Sequence, residues 1–299
     1  MKTMVKFKLL IFAVLAGSFF YLAWQTKNIL EEEVFEHVHH IALIAHNYQS
    51  ILIDETETTL KQLADEPTEL AQDQSSCQKF LTKFTYNPLR NRYLNAGLVN
   101  TDGIITCSLL PMEPDLDVSH RRYFQQAIST NDFAIGEYQI GLITKKPSLN
   151  FGYPIRNQAN EVTGVVFVAM GLDWFEEFFT SLALDQNLRM KVMDRSGTIL
   201  ASVNQEAESP GTQGLNSRLL AAVLNGEPNP VLIADENNSL RAYGFQPRGD
   251  ENGLPETFII ISKPLGPIYN HISLLFAAAS LASIIAGLVI WKIVKPRKN

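Results

Sequence analysis

Two charge-free apolar segments stand near the ends of this chain and constrain everything between them. Leu9–Trp24 follows Lys2, Lys6 and Lys8, and Ile272–Trp291 precedes Lys292, Lys295, Arg297 and Lys298. A helix needs about 20 apolar residues to cross a bilayer, which the second segment supplies. Basic residues flanking both segments place both ends in the cytoplasm and residues from about 25 to 271 outside. The charges agree: 7 of the 25 Lys and Arg flank the two segments, while the remaining 18 lie between them with all 31 Asp and Glu. The first segment also fits a cleaved signal peptide. No small-x-small site closes it, since Ala16-Gly17-Ser18 lies inside the run, and an uncleaved anchor is the preferred reading.

The acidic balance of the outer segment argues against nucleic acid or an anionic membrane surface as its partner. Its length suffices for one or two domains with a core of their own. The only cysteines are Cys77 and Cys107. They could be two buried thiols, but an even pair outside the membrane favours a disulfide.

After the first apolar segment, Val34, Val38, Ile41, Ala45, Tyr48 and Leu52 follow at spacings of four and three, a heptad seam on a long helix. Such a stripe packs either on the chain's own sheet or on a second copy, and the spacing does not decide between them. Pro67 ends the helix, and a shorter one carries Cys77, Phe80, Leu81 and Phe84. LVNTDGIITCS (Leu98–Ser108) reads as a hairpin and lines up with VMDRSGTILAS (Val192–Ser202) at a constant offset of 94. A weaker echo pairs the turn at Asn157–Asn160 with the one at Asp250–Gly253. A repeat at this period implies two copies of one module joined by the helix within Gly171–Asp185. Strands with helices on one face make an α+β class.

The stretch GEYQIGLITKKPSLNFGYPI (Gly136–Ile155) raises the functional question. Alternate strand residues face opposite sides. Leu149, Phe151 and Tyr153 suit a core, whereas Ser148, Asn150 and Gly152 are small or polar and leave space above the sheet. No P-loop, nucleophile elbow or dinucleotide fingerprint occurs. His37, His39, His40 and His46 lack metal-site spacing and read as a helix flank. The chain is therefore not read as an enzyme, and no metal or cofactor is expected.

SHRRYFQQAISTNDFAIGEYQIGLITKKPSLNFGYPI (Ser119–Ile155), followed by a hairpin and GVVFVAMGLDWF, resembles the double Cache sensor family. These are PAS-like extracytoplasmic regions of bacterial sensor kinases, diguanylate cyclases and chemoreceptors. The motifs that carry the likeness are RxYF at Arg121–Phe124, GxYQIG at Gly136–Gly141 and TxKPxLxxxxP at Thr144–Pro154. The resemblance implies two PAS-like antiparallel-sheet modules on a long N-terminal helix, flanked by two transmembrane helices in a bacterial cell membrane. It also implies a bridge from Cys77 to Cys107, and a ligand pocket in the first module. There Arg121 would pair with an anionic ligand group, with Tyr123 and Tyr138 around it and Ser148, Asn150 and Gly152 as floor. The competing role for Arg121 is a structural salt bridge. Amino-acid receptors of the family carry an Asp at the end of a late strand, where this chain has Ala169; Asp173 lies four residues on and is the remaining candidate.

The expected organisation is then 1–26 for the cytoplasmic start and first span, 27–66 for the emergent helix and 67–175 for the distal, ligand-binding module. A connector follows at 176–187, a proximal module at 188–270, the second span at 271–293 and a basic tail at 294–299. The expected function is to bind a small molecule outside and pass the event inward as a homodimer. Its cytoplasmic output domain or partner protein is not in this chain, so the sequence reads as an input region or a stand-alone sensor. The alternative is a non-sensing, membrane-tethered scaffold. The small residues Ala277–Ala279, Ser280, Ala282, Ser283, Ala286 and Gly287 offer close helix contact in the second span.

Overall fold

The computed structural model describes residues 2–66, 74–82, 92–173, 175, 187–204, 209–214, 217–224, 229–235, 237–249 and 255–293. Most of the expected connecting helix lies outside them, as do Pro67, Phe84, the turn at 250–253 and the basic tail. The helices are α1 (Lys2–Ala64), α2 (Gln74–Thr82), α3 (Arg122–Thr130), α4 (Ser217–Leu224) and α5 (Gly266–Ile293). The first sheet holds β1 (Tyr93–Asn100), β2 (Ile105–Ser108), β3 (Ala134–Ile140), β4 (Pro147–Arg156) and β5 (Val162–Gly171) in the order β2-β1-β5-β4-β3. The second holds β6 (Arg189–Asp194), β7 (Ile199–Val203), β8 (Val231–Ala234), β9 (Leu240–Gly249) and β10 (Pro255–Pro264) in the order β7-β6-β10-β9-β8. The two orders are the same in each copy. This is an α+β fold with two five-stranded antiparallel sheets.

The repeat is visible in atomic detail. Asn100 Oδ1 accepts hydrogen bonds from the Asp102 and Ile104 amides, and Asp194 Oδ1 accepts them from Ser196 and Thr198. A side-chain oxygen that caps the turn in this way favours Asn or Asp at its first position. Gly103 and Gly197 then take φ of +86° and +80°, a region open to glycine at little cost. Each hairpin also shifts register in one place, between Leu98 and Val99 and between Val192 and Met193, again 94 residues apart.

The chain divides into two compact units. One comprises Met1–His39, Pro230–Gly244 and Ser262–Asn299, the other His40–Asn229 and Phe245–Ile261. In the first unit, Phe20 and Phe276 lie 5.3 Å apart between ring centroids, and a Cβ on Gly287 would come within 3.1 Å of the Phe12 ring. One member of the small-residue stripe on α5 thus faces the chain's own α1. A Cβ on Gly244 would lie 2.8 Å from the Val38 carbonyl oxygen, so the helix approaches the strand as closely as glycine allows. Both α1 and α5 are long and apolar enough to cross a membrane.

The heptad seam is core. Val34, Val38, Ala45 and Leu52 are buried within the chain, and Ile41 and Tyr48 are half-buried. Of the two occupants the spacing allowed, the chain's own packing takes these positions. Further along α1, Gln49 Nε2 donates to Thr257 Oγ1 at 3.1 Å, and the hydroxyls of Thr56 and Tyr93 are 2.7 Å apart.

Cys77 on α2 and Cys107 on β2 form a disulfide, with Cα atoms 5.6 Å apart and a sequence separation of 30. Closing a loop of that length removes denatured-state entropy worth roughly 3–4 kcal/mol. The Cys77→Ser, Cys107→Ser double variant should lose about that much in chemical denaturation. Mass spectrometry of non-reduced protein should find no free thiol.

Candidate functional site

Helix α3 lies over one face of the first sheet because its apolar residues fall on one side. Tyr123, Phe124 and Ala127 are buried, and they join Val99, Ile105, Val118, Ala134, Val165 and Phe167 in one core cluster. Burying each large side chain contributes roughly 1.5–3 kcal/mol. The helix can sit this low because β4 carries Gly152, where a Cβ would lie 2.8 Å from the Tyr123 carbonyl oxygen. The space above Ser148, Asn150 and Gly152 therefore has two occupants. Over Gly152 it is filled by α3, and over Asn150 it opens into a cleft.

The cleft has a volume of about 330 Å³, counting the part open to solvent. Its polar lining is Asn95, Arg121, Tyr123, Gln139, Thr144 and Asn150. Ile105, Val118, Leu142, Phe167 and Ala169 supply apolar walls. The floor is a single row across three strands: Asn95 pairs with Ala169, which pairs with Asn150, so all three share one face. The Asn95 carboxamide is held by Ser108 Oγ at 3.0 Å and by the Leu110 amide at 3.2 Å. Ser148 Oγ donates to Asn150 Oδ1 at 3.0 Å. Burial pushes the Tyr123 hydroxyl well above its ordinary pKa, and its hydrogen bond to Asn150 opposes that shift only in part, so it is a neutral phenol.

Arg121 stands just before α3 with an extended backbone, φ −78° and ψ 135°, and no side chain caps the helix. Arg121 lines the cleft, and its guanidinium has no hydrogen bond or ion pair among the described residues. Its neighbour takes the structural role. Arg122 donates from one terminal nitrogen to both Glu256 oxygens, at 2.6 and 2.7 Å, and from Nε to the Ile135 carbonyl at 3.2 Å. The Glu256 side chain is only 4% exposed.

The expected site residues separate accordingly. Arg121, Tyr123 and Asn150 line the cleft. Ser148 is fully buried and holds Asn150 from behind, while Gly152 lies under α3. Tyr138 is turned away by a β-bulge. Ile135 pairs with Phe151, but Tyr138 pairs with Leu149 instead of Ser148, so one extra residue in β3 puts it on the opposite face. Its ring lies where a Cβ on Gly211 would approach to 2.6 Å, and its amide donates to Asp194 Oδ2 at 3.0 Å. The same bulge brings Gln139, opposite Ser148, onto the cleft face. Asp173 is exposed beyond the end of β5 and is not part of the lining. Asn95 was legible in principle, as a polar residue two positions before Gly97 in an otherwise apolar strand; Gln139 was not, because nothing local announces the bulge.

This arrangement of repeated sheets, covering helix and cleft has known counterparts. The sequence matches the Cache domain family over residues 26–257. The chain belongs to the Cache domain family. Both copies of the module are present, as in the double Cache form, whose domains are extracytoplasmic ligand-binding sensors of membrane receptors. Among curated proteins, Sporulation kinase D of Bacillus subtilis (strain 168) is 22% identical over 199 residues, covering 65% of this chain and 38% of the kinase. The Cache chain thus spans well under half of that relative's length. The ligand-binding domain of the Campylobacter jejuni chemoreceptor Tlp3, solved with L-valine, superposes with a TM-score of 0.58 at 17% identity, covering 82% of this chain and 98% of that one. The ligand-binding domain of the Pseudomonas fluorescens chemoreceptor CtaA, solved with L-isoleucine, gives 0.60 at 14% identity with the same coverage. At such identities the likeness is one of fold.

The two adjacent arginines should behave differently. Glu256→Ala removes the buried carboxylate partner of Arg122, leaving it the Ile135 carbonyl and Glu137 at 4.0 Å, and should cost about 1–3 kcal/mol in chemical denaturation. Arg121→Ala removes a side chain with no hydrogen bond or ion pair among the described residues and should cost less than about 1 kcal/mol.

Proposed function

We propose that this Cache chain is a membrane-anchored extracytoplasmic sensor that binds a small molecule in the cleft of its first module. The observation that carries the reading is Arg121, a cation lining a concave site whose donor fork has no hydrogen bond or ion pair among the described residues. A carboxylate or similar anionic group meets that fork in two parallel hydrogen bonds. In this reading residues 67–175 form the ligand-binding module and 188–270 the membrane-proximal one, with both termini cytoplasmic.

The route inward is short. Ligand contact at Arg121 acts at the N-terminus of α3, where the next residue grips Glu256 at the start of β10. A single residue, Leu265, separates the end of β10 at Pro264 from the start of α5 at Gly266. A ligand that prefers one position of α3 therefore biases the strand feeding the second span. The likeness to Sporulation kinase D favours a kinase output over a cyclase. A second copy pairs, on this reading, through the outward face of α1, where Leu43, Ile44 and Ile51 are exposed.

A thermal-shift screen of the full chain against organic acids, amines, amino acids and purines tests the reading. A ligand at 100 times its Kd should stabilise by about 2.7 kcal/mol, and Arg121→Ala should abolish the shift. No shift from any compound would instead leave a tethered scaffold. For topology, a reporter fused after Asn299 should be active in the cytoplasm and one inserted at Asn237–Asn238 outside; the reverse pattern would overturn the assignment.

A further inference from the structure

We infer that the cleft selects a small organic acid that carries no ammonium group. This rests on the sensor reading above and narrows its ligand class. Arg121 is the one charged residue of the lining; no Asp or Glu contributes to it among the described residues. The floor is neutral across all three strands, with the methyl group of Ala169 between two carboxamides.

The free hydrogen-bonding capacity is equally specific. Asn95 is committed to Ser108 and Leu110, and Asn150 to Ser148 and Tyr123. Two polar side chains of the lining remain without a hydrogen bond or ion pair among the described residues. One is the Arg121 guanidinium, which only donates. The other is the Gln139 carboxamide, 8% exposed, which both donates and accepts. Their complement is an anionic group for Arg121 and a neutral hydroxyl or carbonyl for Gln139, on a short skeleton that fits against Ile105, Leu142, Phe167 and Ala169.

An ammonium group has no such complement. It would give up water to meet a methyl group, neutral amide and hydroxyl oxygens with no carboxylate, and the repulsion of Arg121, and an unpaired buried charge is costly. The surroundings point the same way. The α3 N-terminus adds partial positive charge, and Lys145 and Lys146, both exposed, follow Thr144 on the turn at the rim. Selection here works by rejection, because the ammonium of an otherwise identical acid finds no partner.

Isothermal titration of the full chain in detergent, with pairs that differ only at C2, tests this. The probes are lactate against L-alanine and 2-hydroxyisovalerate against L-valine. The hydroxy acid of at least one pair should bind, its amino counterpart about tenfold or more weaker, and Arg121→Ala should remove the binding. Gln139→Glu is nearly isosteric and adds the missing carboxylate, so it should reverse the order within the pair. Should that variant fail to fold, Gln139→Leu should weaken the hydroxy acid while leaving propionate unchanged. Arg121-dependent binding of an amino acid as tight as its hydroxy acid would overturn this inference and leave the sensor reading intact. So would Arg121-dependent binding of a purine or amine with neither acid bound. No binding by any probe, with Arg121→Ala silent throughout, would overturn both.

Discussion

Tyr123 lies against β4 with its carbonyl oxygen 2.8 Å from where a Cβ of Gly152 would be, and the rest of the site depends on this seating. Any side chain at 152 would lift α3 off the sheet. The core cluster around Val165 and Phe167 would then open, and Arg121 would leave the mouth of the cleft. Because Tyr123 is buried and hydrogen-bonded through Asn150, it both anchors the helix and forms one wall. The depth of the cleft is the distance by which α3 stops short of Asn150.

The two arginines at the start of α3 divide the work that one residue could not do. Arg122 is satisfied by Glu256 and the Ile135 carbonyl, so it ties the helix terminus to β10. Arg121 lines the cleft without a hydrogen bond or ion pair among the described residues, because its neighbour takes the nearby carboxylate. On the proposed reading, a ligand bound there would act on a helix end that is already fastened elsewhere, and small displacements at the cleft would be passed on. The family's role as an extracytoplasmic sensor gives that connection a purpose.

The duplicated module shows how far one local device can be reused. The Asn100 and Asp194 turns share their hydrogen bonds and their positive-φ glycines, and the sheets share their strand order. Yet the turn of the second copy takes on a further partner. Asp194 also accepts the Tyr138 amide, so one oxygen serves the hairpin and the other holds β3 of the first sheet.

Much of the architecture was legible in the chain itself. The apolar end segments, the heptad stripe on α1, the offset of 94 between hairpins and the small, polar face of β4 are periodic signals, and each rests on residues near one another in sequence. Arg121, Tyr123 and Asn150, which line the cleft, were singled out in the sequence by the motifs around them. What the tertiary structure decided were matters of register and partner. The bulge in β3 reversed the faces of Tyr138 and Gln139, because a one-residue insertion in a period of two exchanges inside for outside. The heptad spacing could not say whether Val38 and Leu52 meet a sheet or a second copy, since both offer the same apolar surface. Nor could composition say which of Arg121 and Arg122 would find a carboxylate, because Glu256 lies 134 residues away in sequence and only the folded chain brings it there.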